Sequence, residues 1–159
     1  MISMKKLLIL VTSLILSGSL PPVVAAQDGK PAYNKALADS LGADQYGMKK
    51  YVLVILKTGP RENADQQTVD SLFAGHMKNI GRLVELGKLV VAGPMQKNEK
   101  TYRGIFILNA SSMEEASALL DTDPAIKGGL LEPELIGWYG SAALPMYLKY
   151  HPVIQQKNL

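Results

Sequence analysis

Apolar residues in this chain occur as short unbroken runs and as stripes at helical spacing. Tyr51-Val52-Leu53-Val54-Ile55-Leu56 is apolar and rich in β-branched side chains, which predicts a first strand. Lys57-Thr58-Gly59-Pro60 ends it. A helix is predicted from about Gln66 to Leu86, because Val69, Phe73, His76, Ile80, Leu83 and Val84 fall on one stripe. Lys78, Arg82 and Glu85 share the opposite, solvated face. Gly87 stands where a left-handed C-cap is expected. Gly75 and Gly81 weaken the helix slightly, and close packing is a reason to keep them. Leu89-Val90-Val91-Ala92 predicts a second strand, stopped by a Gly93-Pro94 turn. Gln96 to Lys100 makes a turn, and Gly104 to Leu108 a third strand. Ser111 with Glu114 three residues on reads as a capping box. It opens a second helix through Met113, Ala116, Leu119 and Leu120, halted at Asp123-Pro124. Lys127-Gly128-Gly129 leads into a fourth strand, Glu134 to Trp138 or Tyr139.

The order β-α-β-β-α-β predicts an α+β, ferredoxin-like fold, an antiparallel four-stranded sheet with two helices on one face. Such a sheet should alternate apolar and polar residues, yet strands one to three are apolar at nearly every position. Two helices cannot cover both faces. A second copy packed sheet to sheet is the simplest cover, so a homodimer is expected. The alternative is that the tail, Ser141 to Leu159, folds over that face.

The chain has 159 residues and no cysteine, enough for one domain that is stabilised by its core and not by disulfides. Its first segment reads as something other than fold. Lys5 and Lys6 precede an apolar run from Leu7 to Leu20, and Val24-Ala25-Ala26 offers a small-residue cleavage site. This is the pattern of a secretory signal peptide, and the run is shorter than the ~20 residues a membrane span needs. The expected organisation is therefore a signal peptide (1–26), an N-terminal arm (27–48) with a short helix near Tyr33 to Leu41, a domain (49–144) and a C-terminal tail (145–159). The expected location is periplasmic or secreted, with no stable membrane anchor after cleavage. Loss of Lys5 and Lys6 lowers the net charge from +3 to +1. A nearly neutral protein carries no electrostatic footprint for nucleic acid.

The sequence resembles the YCII-related domain family. The resemblance is carried by Gly75-His76-Met77-Lys78-Asn79-Ile80, by Gly87-Lys88-Leu89 with Ala92-Gly93-Pro94-Met95, and by Tyr102-Arg103-Gly104. Glu114-Glu115-Ala116 and Asp123-Pro124-Ala125-Ile126 continue it, and Tyr139-Gly140-Ser141-Ala142-Ala143-Leu144 is similar to the ending of an exported branch. The resemblance spans about Tyr51 to Leu144. It implies a dimeric α/β barrel and a pocket holding a His-Asp pair, here His76 and Asp123. Two positions depart from the pattern. Phe73 stands where some members carry arginine, and Ala125 where many carry an aromatic. Both make the expected pocket less polar or less aromatic.

Histidine titrates nearest neutrality and can take and return a proton at working pH. A carboxylate on one ring nitrogen would fix its tautomer. His76 read without the resemblance is better explained as a hydrogen-bonded core residue, and the resemblance turns the reading toward a pocket role. Asp123 read alone is an Asp-Pro turn residue bonded to backbone amides, and Asp121 is a rival partner. Gly93 and Pro94 are expected to shape a pocket wall, with Phe73 beside the histidine, as substrate-binding residues. Trp138 and Tyr139 are expected in core or interface, and Lys57, Arg103 and Lys127 in solvent. No ligand spacing for a metal, no cofactor motif and no Ser or Cys nucleophile signature is present. Three functions follow as expectations. The first is a small-molecule enzyme using His76 and Asp123 for isomerase- or lyase-type acid/base chemistry. The second is a non-catalytic periplasmic homodimer that binds a small ligand. The third is a structural dimer in which His76 is packing.

Overall fold

The computed structural model describes residues 31–157, and from Asn34 onward the chain forms one compact unit. The expected signal peptide and its cleavage site lie outside the described residues. The elements are α1 (Lys35–Leu41), β1 (Met48–Thr58), α2 (Gln66–Glu85), β2 (Leu89–Pro94), β3 (Tyr102–Leu108), α3 (Met113–Leu120), α4 (Pro124–Lys127), β4 (Leu131–Ser141), a 3-10 helix (Leu144–Lys149) and α5 (His151–Ile154).

The four strands form one antiparallel sheet in the order β2-β3-β1-β4, the ferredoxin-like arrangement. Alternation along β1 divides its side chains between two faces. Val52, Val54 and Leu56 join Phe106 and Leu108 of β3 and Leu89 of β2 under Leu83 of α2 and Ala116 and Leu120 of α3. These are sealed, none above 4 % exposed. The other face carries Leu53, Ile55, Ile105 and Ile107, all half-buried, with Ile136 and Trp138 exposed beside them. Part of this face is covered by the chain itself. Tyr51 is buried, its ring tilted at 37° against Trp138, and its hydroxyl donates to the Ser141 carbonyl at 2.9 Å. The 3-10 helix packs against β2, where the Tyr147 hydroxyl donates to the Val90 carbonyl.

Several boundaries differ from those the sequence predicts. β1 and β4 run well past their apolar segments, because polar ends also pair: Lys57 faces Glu132 across the ladder and lies 3.7 Å from Glu134. Gly93-Pro94 is not a turn. Both residues belong to β2, Gly93 opposite Ile105 and Pro94 opposite Gly104. β2 is an edge strand, where a proline without an N–H is tolerated. The cap of α3 is shifted by one residue: Ser112, not Ser111, accepts from the Glu115 amide, and Glu115 reaches back to Ser111. Glu115 also meets Lys88 at 2.6 Å. Hydrogen bonds from Lys88 and Ser111 pull its carboxyl down to about 2.

Candidate functional site

His76 projects from the buried stripe of α2 toward the sheet. Its ring stacks on Phe106 of β3, with centroids 5.7 Å apart and planes at 19°. Phe73, one turn earlier on α2, meets it edge-on at 6.0 Å. These two aromatics fix the plane of the imidazole. The His76 side chain is 10 % exposed.

Its partner arrives through an element the sequence reading missed. After α3 ends, Asp123 turns the chain into the single-turn helix α4 and caps it. One carboxylate oxygen, Oδ1, accepts from the amides of Ala125 at 2.9 Å and Ile126 at 3.4 Å. The other, Oδ2, lies 2.7 Å from Nδ1 of His76. The Asp-Pro turn and the histidine partner are therefore the same residue in two roles, one per oxygen. Asp121 is exposed as the C-cap of α3 and takes no part.

Gly75 makes this approach feasible. A Cβ there would stand 2.7 Å from Cγ of Pro124, so any side chain would push α4 off α2. The glycine next to His76 thus lets Asp123 come within bonding distance of it. Gly81 has open space around it, and the structure offers no packing reason for it.

The protonation state follows from the donor count. Asp123 is fully buried, and apart from the histidine it faces three N–H donors, the amides of Ala125 and Ile126 and Nδ2 of Asn79, so its carboxylate is ionised. Burial pushes its carboxyl up, but the hydrogen bond and charge of His76 and the two amides outweigh burial and hold it below the ordinary value. An ionised carboxylate only accepts, so Nδ1 carries a proton toward Asp123. Among the described residues Nε2 has no hydrogen-bond partner. No buried side-chain nitrogen or oxygen among the described residues lacks a partner, so Nε2 lies at the accessible edge of the ring.

The other expected site residues are placed less centrally. Phe73 touches His76, whereas Gly93 and Pro94 lie in the edge strand β2. A groove of about 490 Å³ runs between α2 and the Thr122–Pro124 turn, lined by Gly75, Lys78, Asn79, Arg82, Thr122 and Pro124. Another, of about 390 Å³, lies between the start of α3 and β4, at Met113, Gly137 and Tyr139. None of His76, Asp123, Phe73, Gly93 and Pro94 lines either. Among the described residues no group of three or more His, Asp or Glu could hold a metal ion, and no helix is long and apolar enough to cross a membrane.

The model of the YCII-related domain family matches residues 50–138, more than half of the chain. The chain belongs to the YCII-related domain family. No curated protein matches it in sequence. Among solved structures, this YCII-related protein is similar to the 5-chloro-2-hydroxyhydroquinone dehydrochlorinase of Burkholderia phenoliruptrix AC1100, solved with 2,5-dihydroxybenzoquinone. The two chains are 20 % identical with a TM-score of 0.39, over 55 % of this chain and 90 % of the other. At that distance no residue role passes between them. Close packing, expected for Gly75 from the sequence, is found there against Pro124. Phe106, Asn79, Arg82 and Thr122 were not read as site residues, and no sequence signal marked them as such.

Proposed function

We propose that this YCII-related protein is an exported small-molecule enzyme in which His76 is the general acid/base and Asp123 orients it. The observation that carries this reading is the 2.7 Å contact on Nδ1 together with an unclaimed Nε2 at the ring edge. Nε2 takes a proton from a carbon next to a carbonyl, and the C–H electron pair moves onto the carbonyl oxygen as an enolate. The Asp123 carboxylate stabilises the imidazolium so formed. The imidazolium then returns the proton to a different carbon, which is isomerisation, or to a group leaving the neighbouring carbon, which is elimination. Placed between Phe73 and Phe106, the ring favours a flat, largely apolar substrate face.

Deuterium uptake from solvent by a panel of ketones and β-hydroxy acids, followed by NMR, tests this. Wild-type protein is expected to exchange at least one member about 100-fold or more faster than His76→Gln. If a panel member binds and both proteins exchange it equally, the protein is a non-catalytic binder, the alternative reading. The half-buried and exposed apolar row on the outer sheet face supports a homodimer as the working form. Export rests on the Lys5-Lys6, Leu7 to Leu20 and Val24-Ala25-Ala26 pattern. A mature mass that begins at Gln27 is the expected result; a full-length mass would overturn it.

A further inference from the structure

Asn79 is 6 % exposed and lies one turn after His76 on α2. Its carbonyl oxygen Oδ1 accepts from Arg82 Nε at 3.2 Å and Nη2 at 2.8 Å. The Thr122 hydroxyl stands 3.1 Å from the same oxygen, shared with the Leu119 carbonyl at 2.6 Å, and itself accepts from Arg82 Nη2 at 2.6 Å. A guanidinium has no acceptor, so the side of the amide that faces Arg82 must be its oxygen. The amide nitrogen is then forced toward Asp123. Nδ2 lies 3.4 Å from Oδ2, the same oxygen that His76 holds at 2.7 Å.

We propose that Asn79, clamped by Arg82 and Thr122, is a positioning residue that aims Asp123 at His76 and moderates how strongly the carboxylate draws a proton onto the ring. Two features make this more than packing. The clamp joins α2 to the turn just before Asp123, so it fixes the two elements that bring acid and base together. It also points the positive end of the amide dipole, with a cation behind it, at the shared oxygen. Both oppose a positive charge on the imidazole. Asp123 on α4 and Arg82 on α2 are the charged groups in this network; β3 presents Phe106 to the ring.

The proposal rests on the His76–Asp123 reading, and one NMR experiment on the full protein separates the two. Ring-nitrogen shifts of His76 report its tautomer, and its titration midpoint reports the field around it. Wild type is expected as the Nδ1–H tautomer; an Nε2–H tautomer overturns the acid/base pair itself. Given the expected tautomer, Asn79→Leu raises the His76 midpoint by about half to one pH unit, a three- to tenfold gain in proton affinity. Arg82→Gln leaves the core intact, guarding against misfolding of the first variant, and shifts the midpoint the same way by less. Lys78→Gln, on the solvated side of α2, is the charge control and leaves it in place. An unmoved midpoint in Arg82→Gln, or a shift equal to that of Lys78→Gln, overturns the role of the clamp and leaves the pair standing.

Discussion

The two faces of the sheet are built from the same kinds of residue and end in different states. On the helix side, Val54 and Leu108 are fully buried, and Leu83 descends on them from α2. On the other side, Leu53 and Ile107, their neighbours in the same strands, stay half-buried, and Ile136 is 40 % exposed. The chain completes one face with its own helices and only part of the other, through Tyr51, Trp138 and the 3-10 helix at β2. The histidine and its acid sit on the completed side, where packing fixes angles and low exposure strengthens each polar contact. The incomplete side is where we propose that a second copy packs.

Variants separate the roles of the two faces. The largest effect is expected at Asp123. Replacing it with alanine leaves His76 Nδ1, Asn79 Nδ2 and the α4 amides without an acceptor, and should destabilise the fold by about 3–5 kcal/mol in urea unfolding. An effect below 1 kcal/mol would mean that water replaces the carboxylate and that the inner face is not sealed. The same residue sets an acid limit. Its carboxyl is held below the ordinary value in the fold, so its stabilisation is present above the unfolded value, about 4, and fades as pH falls through the folded one. Wild type should lose stability below about pH 4 more steeply than Asp123→Asn; parallel curves would contradict the assignment.

Gly75→Ala comes next. The new methyl meets Pro124, and overpacking of this sort is expected to destabilise by about 1–3 kcal/mol. It should also lengthen the His76–Asp123 contact, read as weaker Nδ1–H protection in NMR. A neutral result at Gly75 would show that α4 is free to move. Ile136→Lys on the outer face should change monomer stability by no more than about 0.5 kcal/mol. Its expected effect is on assembly: sedimentation should show the wild type as a dimer and the variant as a monomer. A monomeric wild type would show that the tail is cover enough.

The fold was legible because the periods of the apolar pattern survive any tertiary detail. The run from Tyr51 to Leu56 and the stripe from Val69 to Val84 both lie where their spacing placed them. Readings that depended on one residue fared less well. Pro94 looks like a terminator in sequence, and only the edge position of β2 lets it remain in the ladder. Arg82 looks like a solvated cation, and its backbone position is indeed on the outer side of α2. Its guanidinium nevertheless turns back onto Asn79 and Thr122, because a long flexible side chain is free to choose a partner that helical spacing does not reveal.

By itself the sequence determined the order of strands and helices, the cap at Gly87 and the presence of one inward histidine, since local spacing and backbone preference act within a few residues. The tertiary structure decided which acid that histidine meets. Asp121 and Asp123 are two positions apart and chemically identical, and the choice belongs to the single turn of α4 pressed against Gly75. Contacts between residues 47 positions apart depend on how two helices pack, and no local pattern encodes that distance.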